Sequence, residues 1–296
     1  MPVVSIVTCT YNRAHLIGET IESVLKQTYQ DFEYIIVDES SLDNTEEVVK
    51  SFHDPRIIYY KIPNTKGRLS KLRNFGMLKS TGKYIAFVDS DDLWLPEKLE
   101  MQITAMENEP SIGFSYTDIE IFNKTGVIRQ SIYNNRTGTF TGSVFDEYVH
   151  NKFVVCATTL VFRRACIETI GLEDESFLSG DFDYSITLAS EFDAYAIYAP
   201  LVRVRRHDQN TTDRVHLSEM FGYLKTLQKL LDRKSITPST YSKVKTKIYY
   251  TFGMQLTEAH EYKWANYFFM KNILANPLQL KPWARILLNI PKRLFY

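Results

Sequence analysis

The first ninety residues alternate short apolar strands with helices, and this alternation restricts the fold more than any other feature of the sequence. Runs rich in β-branched and aromatic residues predict strands at Val3–Thr8, Phe32–Val37, Ile57–Ile62 and Tyr84–Val88. Apolar residues at helical spacing predict helices at Ala14–Gln27, around Val48–Phe52 and at Leu69–Leu78. Strands joined by helices form βαβ crossovers, so the pattern predicts an α/β fold with a mainly parallel sheet flanked by helices.

Polar clusters follow three of these strands. They occupy residues 10–13, 38–45 and 89–92, each at the carboxyl end of a predicted strand. Parallel strands place their carboxyl ends on one rim of the sheet, where open α/β sheets bind ligands. We therefore expect the three clusters to meet in one ligand site.

The remainder of the chain divides near residue 212, with an uncertainty of several residues. Up to that point the pattern predicts helices at Leu93–Asn108, Arg163–Ile170 and Asp181–Glu191, strands at Ile112–Phe122, Phe153–Phe162 and Ala194–Val204, and a polar β-rich or loop segment at Asn123–Gly142. From His216 onward the pattern is helical. The expected organisation is a domain at 1–212 and a helical C-terminal region at 213–296.

The net charge of zero hides an asymmetry between these two parts. From Arg214 to the end, 14 Lys and Arg stand against 4 Asp and Glu, so residues 1–213 carry 21 against 31. An acidic front part argues against nucleic acid as the main partner. A basic, aromatic-containing tail suits an anionic membrane or an anionic acceptor.

The cysteines and the apolar runs bear on the compartment. Cys9, Cys156 and Cys166 are odd in number, follow no metal-binding spacing and come without an apolar leader at the amino terminus. They predict reduced thiols in a cytoplasmic protein. No run of about 18 apolar residues occurs, so no transmembrane helix is expected.

The turn Asp89-Ser90-Asp91-Asp92 concentrates three carboxylates at the end of a predicted strand. Hard oxygen donors, with no cysteine or paired histidine nearby, suit Mg²⁺ or Mn²⁺ completed by substrate phosphates and water. An isolated acidic turn is more often a solvated loop, and Asp92 can instead cap the helix predicted from Leu93.

Four further side chains accompany this turn. Tyr11 can stack on a base, Asp38 and Glu39 can accept from a ring N–H, and Arg73 can neutralise phosphate. Each has a plainer interpretation when taken alone: Tyr11 as a packed surface aromatic, Arg73 as a helix-surface ion pair. Together they predict a nucleoside diphosphate site.

The order of these motifs resembles that of the family 2 inverting glycosyltransferases. The matching segments are Ser5–Arg13, Ile35–Thr45, Arg73–Gly76 and Gly82–Asp92. The resemblance implies the GT-A fold, a Rossmann-like α/β domain with its nucleotide-sugar-binding half at 1–110 and its acceptor-side half at 111–212. It also implies a divalent metal bridging the diphosphate of a nucleotide-sugar donor.

The resemblance further implies roles for individual donor-side residues. Tyr11 would stack on the base, most often uracil in this family, and Glu39 stands where the family usually has the second of two aspartates, the one that recognises the base. Asp38 would be its supporting neighbour. Ser41 replaces the family's usual glycine-containing turn, so the loop is expected to differ there.

The family resemblance also implies which residues lie near the diphosphate and the metal. Arg73 would lie near the diphosphate, Asp89 near the ribose or metal, and Asp91 would be the direct metal ligand. Thr10, Arg13 and Ser90 stand inside the matching motifs and are expected among the donor-binding residues.

An inverting transfer also needs a carboxylate that takes the proton from the acceptor hydroxyl. Asp181 matches the position of the family's catalytic base, although Gly180 stands where members commonly have Glu and Asp183 lies only two residues further on. In an unknown protein Asp181 could equally be a helix cap and Asp183 a residue that complements the helix dipole. His207 resembles a family position near the metal and diphosphate, and a lone histidine is otherwise usually structural.

The resulting hypothesis is a metal-dependent enzyme that moves a sugar from a nucleotide donor, by family resemblance a UDP-sugar, to a saccharide or lipid-linked saccharide in surface or capsular polysaccharide synthesis. The mixed aromatic and basic segment Lys281–Tyr296 either lies at the inner face of a membrane or docks on the catalytic domain. A second hypothesis is a nucleotide-sugar-binding protein that has lost transfer, which Gly180 and Glu39 would favour. A nucleotidyltransferase would need a Gly-rich basic loop after the first strand, and Thr10-Tyr-Asn-Arg13 is not one.

Overall fold

The computed structural model describes residues 1–133, 136–150, 155–177, 180–207 and 217–289, with backbone alone for 217–220. The chain divides into two compact units, Met1–Asp208 and Gln209–Tyr296. The boundary predicted near residue 212 lies outside the described residues, and the assignment of a function to each unit stays a prediction.

Among the described residues of the first unit, ten strands form one mixed sheet. They are β1 Val4–Thr10, β2 Phe32–Asp38, β3 Ile57–Lys61, β4 Tyr84–Phe87, β5 Leu93–Trp94, β6 Ile112–Asn123, β7 Gly126–Arg129, β8 Thr139–Gly142, β9 Val161–Arg163 and β10 Asp193–Arg205. The order across the sheet is β3-β2-β1-β4-β9-β6-β10-β5, with β7 beside β6 and β8 beside β10.

Seven helices lie in the described part of this unit, and the helical segments of both units agree broadly with the sequence pattern, except for the helix at Phe145–Val149, which no pattern predicted. In the first unit they are α1 Ile17–Leu25, α2 Thr45–Lys50, α3 Leu69–Lys79, α4 Lys98–Asn108, α5 Phe145–Val149, α6 Cys166–Ile170 and α7 Asp181–Glu191. In the second unit they are α8 Leu217–Asp232, α9 Pro238–Glu258, α10 Tyr262–Ala275 and α11 Leu280–Leu288.

The sheet has the parallel core that the alternation of strands and helices predicts. β1 pairs in parallel with β2 and β4, and β2 pairs in parallel with β3. β9 is antiparallel to both β4 and β6, so it joins this parallel half to the second parallel pair, β6 and β10. The predicted α/β class, a mixed and mainly parallel sheet flanked by helices with a helical C-terminal extension, is confirmed.

Residues 93–97 differ from the predicted helix at Leu93–Asn108. Leu93 and Trp94 form a short strand, β5, antiparallel to Val202 and Arg203 of β10, and the helix begins only at Lys98. Pro96 explains the delay, because the residue before a proline avoids the helical region. Asp92 consequently caps no helix, and its Oδ1 instead accepts a hydrogen bond of 3.0 Å from the Arg205 N–H.

The apolar run predicted as a strand at Phe153–Phe162 is mostly not a strand. Residues 151–154 lie outside the described residues, Ala157–Thr159 form a 3₁₀ helix, and only Val161–Arg163 pair in the sheet. A short apolar run does not by itself distinguish a strand from another buried segment. The 3₁₀ turn is buried, and the Thr158 carbonyl there accepts a hydrogen bond from the Trp94 indole at 2.9 Å.

The second unit has its own aromatic core. Phe252 and Leu256 of α9 pack with Ala265, Phe268 and Phe269 of α10. Within the described part of the chain, no helix combines the length and the apolarity needed to cross a bilayer.

Candidate active site

The β1 strand ends in a tight turn that the β2 loop holds in place. Asn12 adopts a left-handed conformation with φ of 52°, its N–H donates to Ser41 Oγ at 2.8 Å, and its Oδ1 accepts from the Leu42 N–H at 2.8 Å. Thr10 is buried, whereas the Tyr11 side chain beside it is 40% exposed. Tyr11 therefore offers an open aromatic face at the ligand edge of the sheet.

Asp38 and Glu39 both organise loops. Asp38 is buried at the end of β2, where Oδ1 accepts from the Ser41 N–H and hydroxyl at 2.7 Å each and Oδ2 accepts from the Tyr59 hydroxyl at 2.5 Å. Glu39 Oε1 accepts from the N–H groups of Thr65 and Gly67 at 2.5 and 3.0 Å. Asp38 thus holds the turn after β2, and Glu39 holds the loop that precedes α3; their expected roles beside the base stay predictions.

Asp91 lies at the centre of an open cluster with two cationic or potentially cationic partners. His207 Nε2, just beyond β10, lies within hydrogen-bond distance of Asp91 Oδ2 at 2.9 Å, and Arg13 Nε lies 3.9 Å from the same oxygen. Three segments that are far apart in sequence therefore meet at one carboxylate.

Arg205 attaches the end of β10 to the acidic turn. Its Nε donates to the Asp91 carbonyl at 3.1 Å, and its Nη2 forms an ion pair of 2.8 Å with Glu19 of α1. Desolvation and the neighbouring Asp89 and Asp91 carboxylates raise the pKa of Asp92 well above its ordinary value. Ser90, between these carboxylates, is buried.

Asp89 contacts a second cluster, called the inner cluster because Arg73 and Glu173 are buried there, while the Asp89 side chain itself is 44% exposed. Its Oδ1 lies 3.5 Å from Arg73 Nη2, and the Arg73 side chain is only 3% exposed. Desolvation raises the pKa of Asp89 to about 6, where Arg73 opposes the rise and the carboxylates of Asp91 and Asp181 add to it. Arg73 therefore lies beneath the acidic turn, packed over the Phe87 ring at 5.4 Å from its centroid.

Glu173 completes the inner cluster, although no motif in the sequence points to it. Its Oε1 lies 3.6 Å from Arg73 Nη1, in a side chain that is 1% exposed. Asn74 fixes the backbone there, because its Oδ1 accepts from the Glu173 N–H and its Nδ2 donates to the Glu173 carbonyl, both at 2.9 Å. Burial raises the pKa of Glu173 to about 7, with Arg73 opposing and Asp181 contributing to the rise.

Asp181 is the first residue of α7, and Gly180 occupies the N-cap position. Gly180 lies against the inner cluster, because a Cβ atom at residue 180 would be 2.8 Å from Glu173 Oε2, so α7 begins beside that cluster. The Asp181 carboxylate contributes to the raised pKa values of Asp89 and Glu173. Asp183, two residues later, is buried. Of the two acidic residues, Asp181 is thus the one that remains partly accessible beside the acidic turn.

The donor atoms at the acidic turn fit a divalent ion that arrives with a diphosphate. Among the residues that the structure describes, no three His, Cys, Asp or Glu side chains are arranged to enclose an ion. Asp89, Asp91 and His207 offer oxygen and imidazole donors, and ions of this class are commonly held by one or two carboxylates with phosphates and water completing the shell.

The structure brings most of the selected residues together at one edge of the sheet. Arg13, Asp91 and His207 form the open cluster; Arg73, Asp89 and Asp181 lie in or beside the inner one; Tyr11 is open at the end of β1. Sequence analysis missed Glu173 and Arg205. No local motif marks Glu173, the buried carboxylate opposite Gly180. Arg205 could have been predicted from the sequence, because it stands next to Arg206 and His207.

Comparisons with known proteins identify the family of the chain and its fold. A family model described as glycosyl transferase family 2 matches residues 5–171. The UDP-Glc:alpha-D-GlcNAc-diphosphoundecaprenol beta-1,3-glucosyltransferase WfgD of Escherichia coli is 35% identical over 160 residues, 54% of this chain and 60% of that protein. Two uncharacterised glycosyltransferases of Rickettsia also match, and the chain spans 29% and 44% of their lengths.

Two solved structures share the fold at low identity. S. aureus TarS 1-349 in complex with UDP-GlcNAc has a TM-score of 0.68 at 16% identity, covering 97% of this chain and 88% of that one. The mannosyltransferase PcManGT of Pyrobaculum calidifontis, in complex with GDP-Man and Mn²⁺, has a TM-score of 0.59 at 16% identity, covering 99% and 83%. At such identities the likeness establishes the fold alone.

Proposed function

The chain belongs to glycosyltransferase family 2, and we propose that it transfers a sugar, with inversion, from a UDP-sugar to a saccharide or lipid-linked saccharide. One observation carries the proposal: Asp91, His207 and Arg13 meet at the same sheet edge at which Asp89, Arg73 and Asp181 interact. A donor's diphosphate would bind at this edge, and a carboxylate that accepts a proton would lie beside it.

On the donor side, the exposed ring of Tyr11 is suited to stacking on the base, and Glu39 holds the loop at 65–67 beside it. The names of WfgD and TarS in its complex refer to UDP-sugars, which supports uracil, whereas PcManGT is in complex with GDP-Man. UDP-sugars and GDP-sugars are therefore both candidate donors to test.

At the diphosphate, Arg13 would supply positive charge from a partly exposed position, and Arg73 would supply it from beneath the acidic turn. A bound Mg²⁺ or Mn²⁺, held by Asp91 with Asp89 and His207 beside it, would stabilise negative charge on the leaving diphosphate. Asp89 and Asp91 alone would repel that group, so the nearby cations have a clear electrostatic purpose.

For the chemical step, we assign Asp181 as the general base. Inversion requires the acceptor hydroxyl to attack the anomeric carbon from the face opposite the diphosphate, while a positioned carboxylate accepts its proton. Asp181 lies at the start of α7, outside the donor motifs, so it can act on the acceptor while Asp91 acts on the donor side.

The acceptor proposal rests on the relatives and on the surface of the second unit. WfgD is named for a lipid-linked diphosphate saccharide, which supports an acceptor of that class in polysaccharide synthesis. The exposed sides of α10 and α11 carry large apolar residues, namely Trp264, Tyr267, Met270, Leu274, Leu280, Trp283, Leu287 and Leu288.

Charge on the same helices is of one sign. Residues 262–289 contain Lys263, Lys271, Lys281 and Arg285 and no acidic residue. Exposed aromatic, aliphatic and basic side chains on these two helices suit an anionic lipid interface. We propose that this surface holds the protein at the inner face of a membrane; residues 290–296 of the predicted tail segment lie outside the described residues.

Vesicle flotation tests the membrane proposal. The full chain should float with vesicles that contain phosphatidylglycerol, and changing Lys263, Lys271 and Lys281 to Gln should weaken partitioning roughly tenfold to hundredfold. The matched control changes Lys26, Lys50 and Lys83, three exposed lysines of the first unit, to Gln. Equal flotation of the two triple variants, or none by the unaltered chain, would refute the proposal.

Release of nucleoside diphosphate tests the transfer proposal. UDP-, GDP- and dTDP-sugars are incubated with Mn²⁺ or Mg²⁺, with chelator and Asp181→Asn as controls. Metal-dependent release from one donor, lost in Asp181→Asn while that donor still binds by calorimetry, is the expected result. Donor binding without release by the unaltered protein, with a lipid-linked acceptor supplied, would favour the alternative of a nucleotide-sugar-binding protein that has lost transfer.

A further inference from the structure

Glu173 is a buried acidic residue to which neither the motifs nor the proposed reaction gives a role. Its side chain is 1% exposed, and neither carboxylate oxygen has a hydrogen-bond partner among the described residues. A charge removed from water in this way is costly unless another charge compensates it. The guanidinium of Arg73, with Nη1 at 3.6 Å from Oε1, provides that compensation.

The position of Glu173 is held by the helix that carries Arg73. Asn74, the next residue of α3, bonds both the N–H and the carbonyl of Glu173 at 2.9 Å. An asparagine that satisfies both backbone groups of one residue fixes its backbone relative to α3. Arg73 and Glu173 are therefore set against each other by two adjacent residues of one helix.

Gly180 leaves the space that the Glu173 carboxylate occupies. A Cβ atom at residue 180 would lie 2.8 Å from Glu173 Oε2 and 3.1 Å from Ser70 Oγ. Gly180 has φ of −93° and ψ of 4°, so its backbone does not itself require glycine. The close approach of the carboxylate, rather than the turn, explains the missing side chain directly before Asp181.

The inner cluster thus places Arg73 between two carboxylates. Nη2 faces Asp89 Oδ1 at 3.5 Å and Nη1 faces Glu173 Oε1 at 3.6 Å, in a guanidinium that is almost fully buried. Its orientation depends on both anions, because a buried guanidinium with a single partner turns towards that partner. Asp89 belongs to the acidic turn, so the orientation of Arg73 also determines how Asp89 is presented.

We infer that Glu173 is a positioning residue, which holds Arg73 against Asp89 beside Asp181 and supplies from residue 173 the carboxylate that Gly180 cannot carry. This inference rests on the proposed function. Glu173 acts through Arg73 and does not itself touch the donor or the acceptor.

The first test replaces Glu173 with the isosteric Gln, and Glu168→Gln serves as the matched control. Glu168 lies on α6, five residues away, with an exposed side chain. Glu173→Gln should lower kcat roughly tenfold to hundredfold, the usual effect of losing a residue that orients a functional group. The donor KM should change by less than about threefold, since the misplaced charge matters most in the transition state. Glu168→Gln should match the unaltered protein in both constants.

The second test moves the carboxylate. Gly180→Glu should lower kcat and the melting temperature, because its side chain collides with Glu173. The single variant Glu173→Ala should lower kcat by at least as much as Glu173→Gln does. The double variant Glu173→Ala, Gly180→Glu should recover roughly tenfold or more of the kcat lost in Glu173→Ala. The opposite result is a double variant that regains the melting temperature lost in Gly180→Glu without regaining the kcat lost in Glu173→Ala. That result would show that Glu173 has a packing role only, and it would overturn the inference.

The outcomes separate this inference from the proposed function. Transfer by the unaltered protein with an unchanged kcat in Glu173→Gln would refute the positioning role and leave the glycosyltransferase proposal standing. Absence of transfer by the unaltered protein across the donor and acceptor panel would refute the proposed function, and the positioning role with it.

Discussion

Arg13 and Arg73 flank the same acidic turn from opposite environments. Arg13 is 19% exposed, and its Nε lies 3.9 Å from Asp91 Oδ2 in the open cluster with His207. Arg73 is 3% exposed and contacts Asp89 and Glu173 in the inner cluster. The two residues look equivalent in sequence, since each is an arginine in a donor-side motif.

The difference in burial separates two uses of positive charge. A partly exposed arginine can meet an incoming phosphate at lower cost than a buried one, because water still solvates part of it when the ligand is absent. A buried arginine needs permanent anionic partners, and those partners fix its direction before any ligand arrives. The open cluster is thus suited to contact the donor, and the inner cluster is suited to orient Asp89.

The largest expected effect is on the open cluster. Asp91→Asn should lower nucleotide release roughly a thousandfold, since it removes the charge that the open cluster shares. The melting temperature should change little, because Asp91 is partly exposed. Asp193→Asn, an exposed change on β10, is the control. Release rates and thermal melts measured together check this, and a lowered melting temperature of Asp91→Asn would place Asp91 with the structural carboxylates.

The next effect should fall on stability through the inner cluster. Arg73→Met should lower the free energy of unfolding by about 3 kcal/mol, because the buried Glu173 loses its counter-charge. Adding Glu173→Gln should restore part of that loss, since the buried carboxylate without a counter-charge is then gone. Urea unfolding of the single and double variants measures both. If Arg73→Met were as stable as the unaltered protein, the inner cluster would not depend on its cation.

Arg13→Gln tests the same distinction at the open cluster. Nucleotide release should fall roughly tenfold through loss of one charge near the diphosphate, whereas the unfolding free energy should change by less than about 0.5 kcal/mol. The same urea series measures the second quantity. A loss of stability comparable to that of Arg73→Met would contradict the distinction between the two arginines.

The smallest effect concerns pH and Glu173. Its pKa is raised to about 7 from an ordinary value of 4.5, so the folded state binds the proton more tightly than the unfolded state does. Deprotonation of Glu173 therefore costs the folded state more than the unfolded state, and stability should decline as pH rises from 4.5 to 7. Relative to Glu173→Gln, the unaltered protein should lose at least about 1.4 kcal/mol over this window, the equivalent of one pKa unit. A difference between the two proteins that is independent of pH would contradict the raised pKa.

Much of the fold was predictable from local pattern. Strands β1, β2 and β4 are short, apolar and followed by polar turns, and the structure begins and ends them within one or two residues of the predicted positions. Leu93–Trp94 shows where local pattern fails, because their helical spacing was overruled by pairing with Val202 and Arg203 about a hundred residues later. Such pairing is a tertiary contact that no window of sequence contains.

The site divides in the same way. Asp89, Asp91 and Tyr11 were predictable because they follow strands directly, at the rim where parallel strands end. The partnership of Asp91 with His207 could only be expected by family resemblance, and the partnership of Arg73 with Glu173 was not expected at all. Both depend on the order of strands across the sheet and on how α3 meets the segment before α7.

The sequence by itself determined the alternation of strands and helices, the ligand edge and the acidic turn, because strand periodicity and the polarity of loops are local properties. Tertiary structure alone decided which arginine is buried, which carboxylate compensates it and why residue 180 is glycine. Burial and ion pairing depend on distances between residues remote in the chain, and desolvation makes those distances decisive for each charge.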